Sequence, residues 1–262
     1  MTYCSNFKRI NCIGLYTFVS REVGRTFRAW VQNLGAPWSS ALLYILVFGH
    51  VIGQRITAIH GIPYIDFVLP GIVMMNMMSS AFSHASFSVY IMKWTRSIDE
   101  LLVAPFSYLE MIIGFVVGGV MRAIVVGVGI YAMAIFFTSA TIAHFWVMLA
   151  YAIFISVIFS FAGILVALGS KTFEHLSLPT IFIITPLTFL GGVFNSIDMM
   201  PRQLQWFVRL NPFFYFVDGL RYSMVGIRES NPWIGASIIL FLVIGLGYLV
   251  WHLFKIGWRI RD

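Results

Sequence analysis

Charge is what this 262-residue chain lacks most: Asp, Glu, Lys and Arg together make up 10% of it. Soluble domains carry about a quarter charged residues, so there is too little polar surface here to cover a water-soluble globule. A soluble enzyme, a coiled coil and a disordered chain are excluded on that ground. Cysteine is nearly absent too. Cys4 and Cys12 precede every long apolar run, which argues against a disulfide framework. The six histidines are scattered, so no metal site is expected. No clean apolar stretch separates Lys8 and Arg9 from Arg21, so no secretory signal is read.

Catalytic signatures are missing as well. Gly169-Ser170-Lys171-Thr172 imitates a phosphate loop, but Lys171 does not follow the glycine and position 164 is Ile164. His60 and Asp66 lie one residue too far apart for the His-x4-Asp pattern of acyltransferases. His-Glu-x-x-His, Cys-x-x-Cys and Gly-x-Ser-x-Gly do not occur. The chain is expected to hydrolyse no nucleotide by itself.

What the sequence has in abundance is apolar length: 60% hydrophobic residues and 25 phenylalanines. The composition predicts an all-α integral membrane protein forming one unit over 1–262. Six stretches approach the ~20 residues a bilayer needs, at roughly 38–54, 64–92, 108–137, 142–168, 178–194 and 233–254. The fifth holds Pro179, Pro186 and Gly191-Gly192, and is expected to end in irregular backbone buried in protein.

Residues 11–34 do not read as a span. Tyr16, Val19, Val23, Phe27, Trp30 and Leu34 fall on one side of a helix, and Arg21, Arg25, Arg28 and Gln32 on the other. That pattern predicts an amphipathic helix lying in the headgroup layer, or packed on a protein neighbour, with Ala36-Pro37 ending it. Residues 195–232 are too apolar for a solvated loop and too polar for a span. Pro201, Trp206, Asn211-Pro212 and Phe213-Phe214-Tyr215-Phe216 suit short helices re-entering the outer leaflet.

The net charge of +7 fits the excess of Lys and Arg in cytoplasmic loops better than a nucleic-acid partner. With the N-terminus cytoplasmic, that side holds eleven of the seventeen Lys and Arg, the other side five, and Arg122 lies within a span. Both termini are therefore expected inside.

Three features carry function. Asn76, Ser79, Ser83, Ser86 and Tyr90 share one face of the second span, which suits a translocation path or helix–helix hydrogen bonding. In the third span Gly114 and Gly118, then Gly119, Ala123 and Gly127, allow close helix approach. Arg122 sits among them, with an insertion cost of about 2.5–3.5 kcal/mol, as a structural or a functional charge. Between these spans, residues 93–105 include Arg96, Ser97, Asp99, Glu100, Leu101, Leu102 and Pro105. Ser97 and Glu100 form a capping-box pattern, predicting a short helix that docks a partner or merely finishes a turn.

Phe67-Val68-Leu69-Pro70-Gly71, Arg96 to Pro105, Leu190-Gly191-Gly192-Val193-Phe194 and Leu210-Asn211-Pro212 together resemble the ABC-2 type transport permeases. The subgroup is similar to the YadH-like permeases, near the nodulation-factor and capsular-polysaccharide exporters. The resemblance implies six spans, an N-terminal interface helix, a coupling helix over 93–105 and re-entrant helices before the last span. It implies a homodimer in a bacterial inner membrane, served by two separate ATP-binding cassette ATPase subunits that hold ATP and magnesium. Substrate would leave at the dimer interface. An amphipathic, glycan or drug-like substrate suits the serine face and the aromatic outer mouth. Competing expectations are a secondary transporter, a membrane-embedded enzyme and a non-transporting membrane assembly protein. The first is weakened because Asp66 and Glu110 lie near span ends.

Overall fold

The computed structural model describes residues 11–53, 58–99, 106–138 and 141–259. Among them five helices are long and apolar enough to cross a membrane: Val31–Gly49, Tyr64–Trp94, Tyr108–Ala134, Phe145–Gly169 and Pro232–Ile256. The predicted fifth span is represented by the shorter apolar helix Glu174–Leu190.

The first helix, α1 (Cys12–Arg28), starts at Asn11, whose side chain accepts from the Gly14 backbone N–H. Pro37 does not end the helical run, contrary to the sequence expectation. A π-turn over Val31–Gly35 precedes it, and α2 (Ala36–Tyr44) carries the proline in its first turn. The Ala36 N–H reaches back five residues to the Val31 carbonyl, and in a first turn the missing proline donor is tolerated. The first span therefore begins near residue 31 rather than 38. A two-strand hairpin follows, with Ala58 opposite Pro63 and Ile59 opposite Ile62. His60 and Gly61 make its turn with positive φ at both positions, the type I′ signature.

Helix α3 (Tyr64–Trp94) is the centre of the bundle, packed between α4 (Tyr108–Ala134) and α5 (Phe145–Gly169). Within its span 83% of residues are buried, against 17% in the first span and 17% in the last helix. The outer helices thus present apolar sides outward and α3 presents almost none. A capping box made by Ser107 and Glu110 opens α4. Glu110 also accepts from the Asn11 backbone N–H at 2.6 Å, fastening the starts of α1 and α4 together.

From that anchor α1 tracks α4 turn by turn. Gly14 meets Phe106, Phe18 lies over Gly114, and Glu22 over Gly118. The buried stripe of α1 is Phe18, Glu22 and Thr26, whereas Tyr16 (75%) and Trp30 (57%) are exposed. The helix docks on the bundle by a stripe the sequence did not single out; of the predicted apolar stripe, Tyr16, Phe27 and Trp30 are exposed, Val19 and Val23 are half-buried, and Leu34 packs into the core. A Cβ on Gly114 would run into the Phe18 ring. Gly114→Ala is expected to destabilise by about 1–3 kcal/mol, as overpacking does. A double-mutant cycle with Phe18→Leu, read by thermal unfolding in detergent, should recover part of that loss; additive effects would reject the contact.

Beyond α5 the chain forms α6 (Glu174–Pro179), a π-turn over Thr180–Ile184 and α7 (Thr185–Leu190). A 3-10 turn at Ile197–Met199, α8 (Arg202–Leu210) and α9 (Pro212–Val225) fill the predicted re-entrant segment. The last helix is α10 (Pro232–Ile256).

Candidate functional site

At the end of α3 the chain turns through Thr95 and Arg96 into a helical turn at residues 97–99. Helical conformation already includes Ser97, so it sits one position inside a cap, and its hydroxyl lies 3.0 Å from Thr95 Oγ1. Glu100, Leu101 and Leu102 fall outside the described residues. Ile98 is 1% exposed and belongs to the lower core with Met92 and Met111. Arg96 and Asp99 are exposed. An apolar anchor therefore holds this turn to the bundle while its charges face outward.

The polar face of α3 divides. Ser79 and Ser83 are half-buried. Asn76 is buried and spends its amide on the Ile72 carbonyl at 2.9 Å, while buried Ser86 donates to the Ser83 carbonyl at 3.3 Å. A polar stripe is present, but only its two middle serines reach the bundle surface.

Nearby lies a cluster that the sequence reading missed. Glu22 of α1 is 1% exposed, and its carboxylate accepts from Ser88 Oγ at 2.6 Å and from Arg25 at 2.7 Å. His84 Nε2 sits 3.5 Å from Glu22 and 3.4 Å from Arg25, and its Nδ1 3.5 Å from Thr26 Oγ1. A neutral imidazole protonated on Nε2 satisfies both neighbours, donating to Glu22 and accepting from Thr26. Gly118 makes room: a Cβ there would stand 2.6 Å from His84 Nε2. Burial pushes the Glu22 carboxyl up, but the His84 and Ser88 hydrogen bonds and the Arg25 charge outweigh it and hold it below its ordinary value. Arg122 of α4 feels the charge of Arg25, and its Nε has no hydrogen-bond partner among the described residues. The sequence offered one signal, a single glutamate within the Arg21–Arg28 run.

At the other end of α3 three sequence motifs meet. A Cβ on Gly71 would stand 2.9 Å from Val193 Cα, so Phe67–Gly71 presses on Leu190–Phe194. Asn211 caps α9 through the Phe213 N–H and donates to the Leu187 carbonyl at 2.7 Å. Arg221 joins them. It is 0% exposed, donates to the Phe67 carbonyl at 3.2 Å and the Gly192 carbonyl at 2.6 Å, and stands 3.7 Å from the Phe67 ring centroid. Glu229 lies 3.9 Å from it, and Asp218 accepts from the backbone N–H groups of Glu229 and Ser230.

Residues 14–225 match the family described as ABC-2 type transporter. The chain is 36% identical over 251 residues to the inner membrane transport permease YadH of Escherichia coli strain K12, covering 95% of this chain and 98% of that protein. Nodulation protein J of Rhizobium meliloti strain 1021 is 23% identical over 77% of this chain and 79% of its own length. Nodulation protein J of Rhizobium leguminosarum bv. viciae is 21% identical over 84% and 87%. The match spans both the turn at residues 95–99 and the Arg221 junction, and the chain belongs to the ABC-2 type transporter family of membrane permeases.

Proposed function

We propose that this chain is the membrane subunit of an ATP-driven exporter in a bacterial inner membrane, moving an amphipathic, glycan or drug-like substrate. Two copies pair, and each docks an ATP-binding cassette ATPase that binds ATP and magnesium and hydrolyses ATP. Six segments cross the bilayer, Glu174–Leu190 being the fifth, with both termini cytoplasmic and residues 195–232 re-entering from outside. The outward apolar stripe of α1 rests among lipid headgroups.

The observation that carries this reading is the continuity of α3. One 31-residue helix runs from the Arg221 junction, past Ser79 and Ser83 and the Glu22 cluster, to the coupling turn at Arg96. A displacement delivered at Arg96, Ser97 and Asp99 therefore reaches the polar stripe through a rigid element. Glu100, Leu101 and Leu102 extend the docking surface, with the leucines supplying its apolar contacts. Arg122 remains a candidate charge on the path of that motion.

Co-purification of the ATPase with the permease tests the assignment. Each buried leucine contributes about 1.5–3 kcal/mol, so Leu101→Ala with Leu102→Ala should weaken docking at least tenfold while leaving membrane insertion intact. Undiminished binding and undiminished ATPase stimulation would place coupling elsewhere. In the same preparations, a cysteine at exposed Gln203 should react with an impermeant thiol reagent added outside; labelling only after the membrane is opened would reverse the orientation.

A further inference from the structure

The end of the bundle that carries the coupling turn holds an open cleft of about 820 Å³ between the ends of α3 and α5 and the segment after α10. Its lining gathers Lys93, Arg96, Lys171 and Arg259 around a single carboxylate, Asp99. Two of the cations are held in place from behind. Lys93 donates to the Leu168 carbonyl at 3.1 Å and Arg259 to the Gly169 carbonyl at 3.3 Å, at the end of α5. Among the described residues, Arg96, Lys171 and Arg259 make no salt bridge. One carboxylate against four cations within a Debye length leaves the cleft with an excess of positive charge.

Backbone conformation points the same way. Arg96 and Arg259 adopt φ of 56° and 50°, the left-handed region that non-glycine residues enter uncommonly and at a cost. Only one other non-glycine residue among those described does so, His60 in its hairpin turn. Both of the remaining strained positions thus deliver an arginine to one cleft. The level in the bilayer is marked by aromatic side chains. Trp94 lines the cleft, Tyr90 and Phe173 pack against it, and Arg259 stacks on Trp258 at 4.9 Å. Such a belt of Trp and Tyr belongs at the headgroup layer.

We propose that this cleft binds a phosphate-bearing lipid headgroup of the leaflet on the coupling side. Guanidinium forks take up phosphate oxygens in pairs, and basic pockets between membrane helices suit anionic headgroups. A bound headgroup neutralises the cluster and braces the ends of α3 and α5 directly behind the coupling turn. The assignment concerns the permease alone and stands or falls separately from the identity of its ATPase.

The test uses the full chain in nanodiscs of phosphatidylcholine doped with phosphatidylglycerol, read by lipid retention in native mass spectrometry and by thermal unfolding. Phosphatidylglycerol should be retained over phosphatidylcholine and should raise the unfolding temperature. Lys171→Gln with Arg259→Gln should lower retention on the order of tenfold, because each cation near a charged surface contributes separately. Arg202→Gln with Arg209→Gln, at the opposite end, should leave it unchanged. Should the double variant fail to fold, the single Lys171→Gln carries the test, since its side chain caps no helix, and Lys171→Arg should restore retention. Stabilisation of the wild type, but not of Lys171→Gln, by glycerol 3-phosphate alone would support the phosphate site and assign it to a soluble source. Equal retention of both lipids, or unchanged phosphatidylglycerol retention in the variants, would overturn the proposal.

Discussion

Arg221→Leu is expected to abolish recovery of folded permease. The guanidinium is wholly buried, bridges the Phe67 and Gly192 carbonyls, lies against the Phe67 ring and is the cation nearest the buried Glu229 carboxylate. Removing it takes a donor from two carbonyls and leaves the Glu229 carboxylate, among the described residues, with only His60 and the Ile197 N–H, each at 3.3 Å. Breaking a buried charge pair of this kind costs about 3–5 kcal/mol, a large part of the 5–15 kcal/mol that typically holds a protein folded. Arg221→Lys should recover only part of the loss, because an ammonium on a flexible stem does not reproduce the fork that spans two carbonyls. Size-exclusion profiles of a fluorescent fusion measure the effect. A monodisperse peak of wild-type height for Arg221→Leu would show that the junction is held by other contacts.

Glu22→Leu should release α1 from the bundle. His84 and Arg25 would lose their carboxylate, and Ser88 its acceptor. The cost is about 3 kcal/mol, at the low end for a buried pair because Arg25 keeps 29% of its side chain exposed. Trypsin reports the release, since Arg21, Arg25 and Arg28 lie on this helix and cleavage there needs it to unwind. The variant should be cut faster than wild type at equal protease. Cleavage at the wild-type rate would mean that Phe18 and Thr26 alone hold the helix.

The same contact has a defined pH dependence. The Glu22 carboxyl is held below its ordinary value, so its stabilising contribution is complete above the ordinary carboxylate range and is lost as pH falls through the lower, folded-state value. Protection of α1 from an acid-tolerant protease should therefore include a step of loss in acid, below the ordinary carboxylate range. The Glu22→Leu variant should show no such acid step.

Composition alone determined that this chain lives in a membrane, because a chain with 10% charged residues has no other solvent in which its surface is stable. Four of the predicted stretches, at 64–92, 108–137, 142–168 and 233–254, were legible for a local reason: each is a long apolar run, and apolar length is a property of consecutive residues. The family was legible too, since short motifs keep their order along the chain. Local rules failed at Pro37, which sits in the first turn of α2, where a missing N–H is tolerated and the helical run continues. They reached only part of the way at Ser97, which the fold places inside a helical turn rather than before it.

Only tertiary structure decided what the charged residues do. Glu22 meets Ser88 across 66 residues and Arg221 meets Phe67 across 154, and no periodicity reaches that far. The face of α1 that docks was hidden for the same reason. Its Phe18–Glu22–Thr26 stripe is mixed in polarity, so hydrophobic pattern cannot find it, and it becomes a packing surface only where Gly114 and Gly118 open a channel for it and His84 and Ser88 complete its hydrogen bonds. The sequence sorted residues between bilayer and water. Which buried charges are matched depended on side chains that folding alone brings within hydrogen-bond distance.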